Sequence, residues 1–198
     1  MYRKIIENYK PINEQEHYDR LSMLDFIDKN ENALSRDNLV AHFTTSAIVV
    51  NKSLDKVLFA YHLIYKSWAW LGGHNDLDSD FLNVAVKEAK EESGLLNVYP
   101  LEKNPIMLDQ ILVQTHIKNG KYVGDHLHLN LTYLLYADEN EKLTVKEDEN
   151  SGVKWFKISD ILSMVKEERM IPIYKKAFNY IEVNKDKLLK VIENDSMD

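Results

Sequence analysis

One run of residues, 72–95, constrains the fold more than the rest of the chain. A glycine pair, Gly72-Gly73, opens a polar loop through His74, Asn75 and a series of aspartates. The loop gives way to a segment with helical periodicity that closes on Ser93-Gly94. Phe81, Leu82, Ala85 and Ala89 form one apolar stripe at helical spacing. Glu88, Glu91 and Glu92 fall on an adjoining stripe, with Glu91 and Glu92 within about 60° of Glu88 at 3.6 residues per turn. Carboxylates gathered on one stripe repel one another unless a cation lies between them. Oxygen donors of this kind suit hard ions such as Mg²⁺ or Mn²⁺. Gly94 is placed to take the left-handed conformation that ends a helix.

Laid end to end, the segment resembles the Nudix box. That pattern is Gly, five residues, Glu, seven residues, Arg-Glu-apolar-any-Glu-Glu-any-Gly-apolar. Its first glycine falls on Gly73, its Arg-Glu pair on Lys87-Glu88, its apolar position on Ala89, its acidic pair on Glu91-Glu92 and its closing pair on Gly94-Leu95. The spacing matches without a gap. Two positions depart from it: Ser79 stands where the box has Glu, and Lys87 where it has Arg. In the family these two support the loop–helix geometry, so Lys87 is expected to pair with Asp78, Asp80 or Glu91, without the planar fork of Arg.

The resemblance implies an α/β fold with a mixed sheet, the family's α/β/α sandwich, over residues 40–168. Residues 1–39 then form an N-terminal helical arm, and 169–198 a C-terminal helix packed on the same domain. It also implies hydrolysis, dependent on Mg²⁺ or Mn²⁺, of a nucleoside diphosphate linked to another moiety. The implied metal ligands are the Gly73 backbone, Glu88, Glu91 and Glu92, with a further acid from the loop before the Trp155 strand. In that loop Glu149 is the preferred residue and Glu147 the next. By charge pattern alone, Glu147-Asp148-Glu149 is a solvated acidic loop. Glu88 and Glu149 both stand as the general base. A non-hydrolytic ligand-binding or regulatory member of the family is the competing reading. An isoprenoid diphosphate isomerase of the same fold uses a Cys, and this chain has none.

Along the chain, residues 12–27 have helical spacing, while Ala41–Val50 and Lys56–Ile64 read as a β-hairpin about the turn at Asn51. Met107–Ile117 and His126–Tyr136 read as strands, as does Gly152–Ile158. Ser159 is placed to cap a following helix, and Ile173–Ile192 reads as one amphipathic helix.

His126 and His128 share a strand face with Asn130, and Leu127, Leu129 and Leu131 take the other. As zinc ligands the two histidines lack a third residue nearby in sequence. They read instead as a polar strip lining a substrate cleft, or as structural histidines, with His74 and His42 placed to join them. His74, His126 and His128 are thus the candidate substrate contacts, together with Trp70, an aromatic able to stack on a base. Trp68, Tyr61 and Tyr65 read as core. Arg36 and Lys66 are weaker candidates for phosphate contacts.

The net charge of −7 argues against a nucleic-acid partner, which needs basic surface. Without Cys there is no disulfide or thiolate metal site. No long apolar run is present to span a membrane, and the first residues lack the apolar core of a signal peptide. The expectation is a cytoplasmic protein acting on a small molecule. The N-terminal arm and final helix are the candidate surfaces for a homodimer.

Overall fold

Every residue from Ala41 to Asn51 is buried, and this strand is the spine of the molecule. The computed structural model describes residues 2–118, 120–146 and 150–195. In chain order the elements are α1 (Arg3–Asn8), α2 (Glu14–Lys29), β1 (Ala41–Asn51), β2 (Lys56–His62), β3 (Ser67–Ala69), β4 (Leu71–His74) and α3 (Phe81–Ser93). They continue with β5 (Val98–Pro100), β6 (Met107–Val113), β7 (His116–Lys118), β8 (Lys121–Val123), β9 (His126–Ala137), β10 (Asn150–Lys157), α4 (Ile158–Ile161), α5 (Ile171–Val183) and α6 (Lys185–Asp195).

The main sheet runs β10-β2-β1-β9-β5, with β3 beside β2, β4 beside β1 and β6 beside β9. β1 and β9 pair in parallel along their whole length, and the other pairs of this sheet are antiparallel, so the sheet is mixed. β7 and β8 form a separate ribbon.

Alternation along β1 and β9 divides the core in two. On one face Phe43, Ala47, Val49, Leu129, Leu131 and Leu135 pack with Phe81, Ala85 and Ala89 of α3, and with Ile6 and Met23 of α1 and α2. On the other, Ile48, Val50, Leu134 and Tyr136 pack with Tyr174, Ala177, Phe178, Ile181, Leu188 and Ile192 of α5 and α6. Each buried Leu- or Phe-sized side chain contributes about 1.5–3 kcal/mol. The result is a mixed α/β sandwich with helices on both faces of the sheet. Toward the start of β1 and β9 the second face becomes polar: His42, Thr44, Ser46, His126, Asn130 and Thr132 are all buried there. Among the described residues, no helix is long and apolar enough to cross a membrane.

Three local expectations are corrected. The final amphipathic run is two helices: Asn184 leaves helical geometry (φ −103°, ψ 10°) and its side-chain amide bonds the Tyr180 carbonyl (2.9 Å), closing α5. Ser159 is not a cap. It lies inside α4, its hydroxyl donating to Asp160 (2.6 Å), and Lys157 holds the N-cap position without a side-chain bond. The strand from Met107 stops at Val113, because the N–H and hydroxyl of Thr115 both donate to Asp125 (2.5 and 2.7 Å) and turn the chain into the β7–β8 ribbon.

Candidate active site and histidine cluster

β4 lays the glycine pair against β1, with Gly73 opposite Thr45 and Gly72 opposite Ser46. A side chain at position 73 would collide with Glu88: its Cβ would stand 2.5 Å from the carboxyl carbon. Glycine is needed here for close approach, which lets the α3 carboxylate rest on the strand backbone.

The loop from β4 to α3 is held by its own polar groups. Thr45 donates to the buried Asn75 (2.9 Å), whose amide donates to the Asp78 carbonyl (3.0 Å). Asp76 and Leu77 take left-handed backbone angles (φ 48° and 74°), and Arg36 forks onto Asp76 from outside. Asp78 accepts from the Asp80 N–H (2.8 Å), and Asp80 caps α3 by accepting from Asn83 (3.1 Å). The helix ends at Gly94 (φ 73°), as its sequence position anticipates.

Glu88, Glu91 and Glu92 stand differently on this helix. Glu88 faces Gly73. Glu92 is 7% exposed and sits at the rim of the first core. Glu91 points outward, with Lys87 at 3.8 Å and Lys146 at 4.0 Å. Of the three partners expected for Lys87, the structure selects Glu91; Asp78 and Asp80 are engaged in the loop and cap. The segment before β10 is drawn to this end of α3, where the Thr144 N–H donates to the Ser93 carbonyl (2.7 Å). Glu149, with Glu147 and Asp148, lies outside the described residues. A partly desolvated carboxylate pair beside a strand backbone bare of any side chain is a donor set that fits a hard divalent cation.

The next residue, His74, points the other way. Strand alternation puts it on the sheet face turned away from Glu88, where it meets His42 and His128 at ring separations of 5.0 and 5.1 Å. The strip His126–His128–Asn130 therefore reaches the glycine loop, but on the reverse side from the carboxylates. Leu127, Leu129 and Leu131 turn into the α3 core.

The cluster is assembled by register. Parallel pairing of β1 with β9 sets His42 beside His128, and antiparallel pairing of β1 with β4 sets Thr44 beside His74. His126 completes it, with its Nε2 3.2 Å from that of His128. Below it, Thr44 and Ser46 both donate to Asn130 (2.9 Å each), whose amide donates to Thr132 (3.1 Å). Burial lowers the pKa of His42, takes His74 down to about 3 with help from the Arg36 charge, and pushes His128 well below the usual imidazole range. These three rings are neutral at pH 7.

Trp70 packs edge-on against Tyr174 (5.3 Å), as part of the second core's margin. Trp68 stacks edge-on with Phe156 (4.7 Å), and Tyr61 donates to the Lys66 carbonyl (2.8 Å). The site therefore groups Gly73, Glu88 and Glu92 on one face, and His42, His74, His126 and His128 on the other. Trp70 stands apart from both groups, on Tyr174.

A family model described as the NUDIX domain matches residues 41–178, more than half of the chain. Among solved structures, a NUDIX-family hydrolase from Clostridium perfringens is 26% identical with a TM-score of 0.49, covering 71% of this chain and 97% of its own. The dihydroneopterin triphosphate pyrophosphohydrolase of E. coli is 12% identical with a TM-score of 0.53, covering 68% and 92%, a likeness of fold. The NUDIX domain of Shewanella oneidensis NrtR, solved with ADP ribose, is 14% identical with a TM-score of 0.48, covering 79% and 97%. No curated protein sequence matches this chain.

Proposed function

Because this chain belongs to the Nudix family, we propose that it is a divalent-metal-dependent hydrolase. Its substrate would be a nucleoside diphosphate linked to another moiety. The observation that carries the reading is the Glu88 carboxylate seated on the bare backbone of Gly73, with Glu92 buried one turn further along the same helix.

The residues to hold Mg²⁺ or Mn²⁺ are Glu88, Glu91, Glu92 and the Gly73 backbone, with Glu149 as a further ligand. When bound, such an ion supplies charge to offset the diphosphate and lowers the pKa of a water in its shell. The chain supplies the rest. Its net charge of −7 leaves an anionic substrate without general attraction, so binding depends on this one place. Glu88 or Glu149 accepts the proton of the attacking water. The capped, hydrogen-bonded loop from Asn75 to Asp80 keeps Gly73 and Glu88 in register, so little reorganisation is needed when substrate binds. On the reverse side of β4, His74 and the His126–His128 strip offer polar contacts to the part of the substrate that is not cleaved. Trp70, engaged with Tyr174 at the margin of the second core, would contact substrate only at a distance from that strip.

The test is a panel of nucleoside diphosphate derivatives incubated with Mg²⁺ or Mn²⁺ and assayed for a monophosphate product. Turnover that needs the ion and falls with Glu92→Gln is the expected result. A derivative that binds tightly yet is never cleaved under either ion would make the chain a non-hydrolytic ligand-binding member of the family.

A further inference from the structure

Histidines from three strands meet on the sheet face away from α3, and metal-independent structure accounts for only part of their arrangement. One nitrogen from each of His42, His74 and His128 falls within 4.8 Å of the other two. A tetrahedral zinc ion with Zn–N bonds of 2.0–2.1 Å holds its ligand nitrogens about 3.4 Å apart, so small ring rotations close the set.

The tautomers are already arranged for ligation. His42 Nδ1 donates to the Asn38 carbonyl (3.0 Å), which leaves Nε2 as the bare lone pair. That Nε2 is buried and has no hydrogen-bond partner among the described residues, on a side chain only 4% exposed. A buried imidazole acceptor left unmatched costs about 1–3 kcal/mol, and such atoms call for an explanation. His126 repeats the pattern, its Nδ1 donating to the Gly124 carbonyl (2.9 Å) and its Nε2 turned to His128. A backbone carbonyl on the far nitrogen is the usual orienting partner of a metal-bound histidine.

We propose that His42, His74 and His128 form a binding site for a zinc-class transition-metal ion, separate from the carboxylate site of α3. An all-imidazole set favours Zn²⁺ and its first-row neighbours over Mg²⁺. Three histidines leave a fourth position open. His126 stands beside the set, its Nε2 3.2 Å from that of His128, and is not one of the three converging ligands. His74 and His128 are half-buried, so the ion can enter from solvent. The polar network of Thr44, Ser46, Asn130 and Thr132 lies beneath.

The site is tested on the full chain, stripped with a chelator and titrated with Co²⁺ while visible absorption is recorded. The wild type should bind one Co²⁺ per chain with the strong ligand-field bands of a tetrahedral nitrogen site, undisturbed by excess Mg²⁺. His128→Ala and the half-buried His74→Ala should abolish the bands. Glu88→Gln/Glu92→Gln should keep them, even though it removes the proposed hydrolytic centre. Circular dichroism checks that each variant is folded, and His74→Gln replaces His74→Ala if the latter is not. A wild type without these bands overturns the proposal. So does a folded His74→Ala chain that retains them. Mg²⁺-dependent hydrolysis is read separately by product release, with the Glu88→Gln/Glu92→Gln chain separating loss of that activity from loss of the bands.

Discussion

Lys176 of α5 pairs with Glu16 of α2 at 2.9 Å, although the two helices lie on opposite faces of the sheet. The ammonium reaches round the sheet at β6, where it also meets Asp109 at 2.7 Å. Tyr9 donates to the second oxygen of Glu16 (2.7 Å). The lysine side chain is 10% exposed and that of Glu16 is fully buried. Lys176→Met should therefore leave buried carboxylates uncompensated and cost about 3–5 kcal/mol of stability. Urea denaturation measures it; a loss below about 1 kcal/mol would show that the triad contributes nothing specific.

Gly73 and Gly72 are adjacent but should fail differently. At position 73 the obstacle to a methyl group is the flexible end of Glu88, which can swing aside. Gly73→Ala should keep its melting temperature and lose most of its metal-dependent turnover. At position 72 the obstacles are backbone, Thr45 O at 2.5 Å and Ser46 Cα at 2.7 Å, at a φ of +154°. Gly72→Ala should lower the melting temperature. Paired melting curves and rate assays separate the two, and a fully active Gly73→Ala would remove Glu88 from the centre.

Among the box acids, Glu92→Gln should cut turnover by several orders of magnitude while folding persists, since the proposed centre would lose a charged ligand. Glu91→Gln should do the same if Glu91 leaves Lys87 when the ion binds. Lys87→Ala should act weakly, because the Lys87–Glu91 pair is half exposed and such pairs are worth about 0–1 kcal/mol. Comparing kcat across the three variants decides the order; a Lys87→Ala as impaired as Glu92→Gln would contradict it.

Stability should fall in acid. His42, His74 and His128 have pKa values held below that of a free imidazole, so the unfolded chain takes up protons below about pH 6.5 that the folded chain refuses. This contribution is present above pH 6.5 and is lost as pH falls. Asp109 opposes it. Burial raises its carboxyl to about 6 even beside Lys176, so the folded chain keeps a proton that the unfolded chain releases near pH 4. Between pH 4 and 6 the histidines outnumber the aspartate. Stability should rise with pH by at most about 1.4 kcal/mol per pH unit for each net proton. Denaturation midpoints at pH 5, 6 and 7 test the sign.

What could be read from sequence is what local chemistry sets. The α3 helix, its Gly94 terminus, the turn at Asn51 and the leucine–histidine alternation of β9 all follow from neighbours along the chain. For Lys87 the sequence leaves three partners open, Asp78, Asp80 and Glu91, and the structure takes the one a helical turn away. Contacts made only by packing are less legible. The sequence places His42 and His74 to join the His126–His128 strip, but the spacing that makes them one set comes from the register of β1 with β9 and with β4. The Lys176–Glu16–Asp109 triad joins three distant segments. The break at Asn184 depends on one side-chain amide competing for a carbonyl, against a periodicity that continues through it.

The parallel pairing of β1 with β9 also sets a timetable. Thr44 and Asn130 touch, yet 86 positions separate them. A ribosome adding about 5–20 residues per second needs several seconds to deliver the second strand after the first. Through that interval the apolar spine Ala41–Val50 has only the β2 hairpin and the glycine strand β4 beside it. Its far edge waits for a partner, a state open to wrong pairing. The carboxylates of α3 meet Gly73 within one short stretch of chain, but the histidine cluster cannot be complete until β9 brings His126 and His128 to it. The proposed histidine site would therefore exist only in a chain that has already committed to the right sheet.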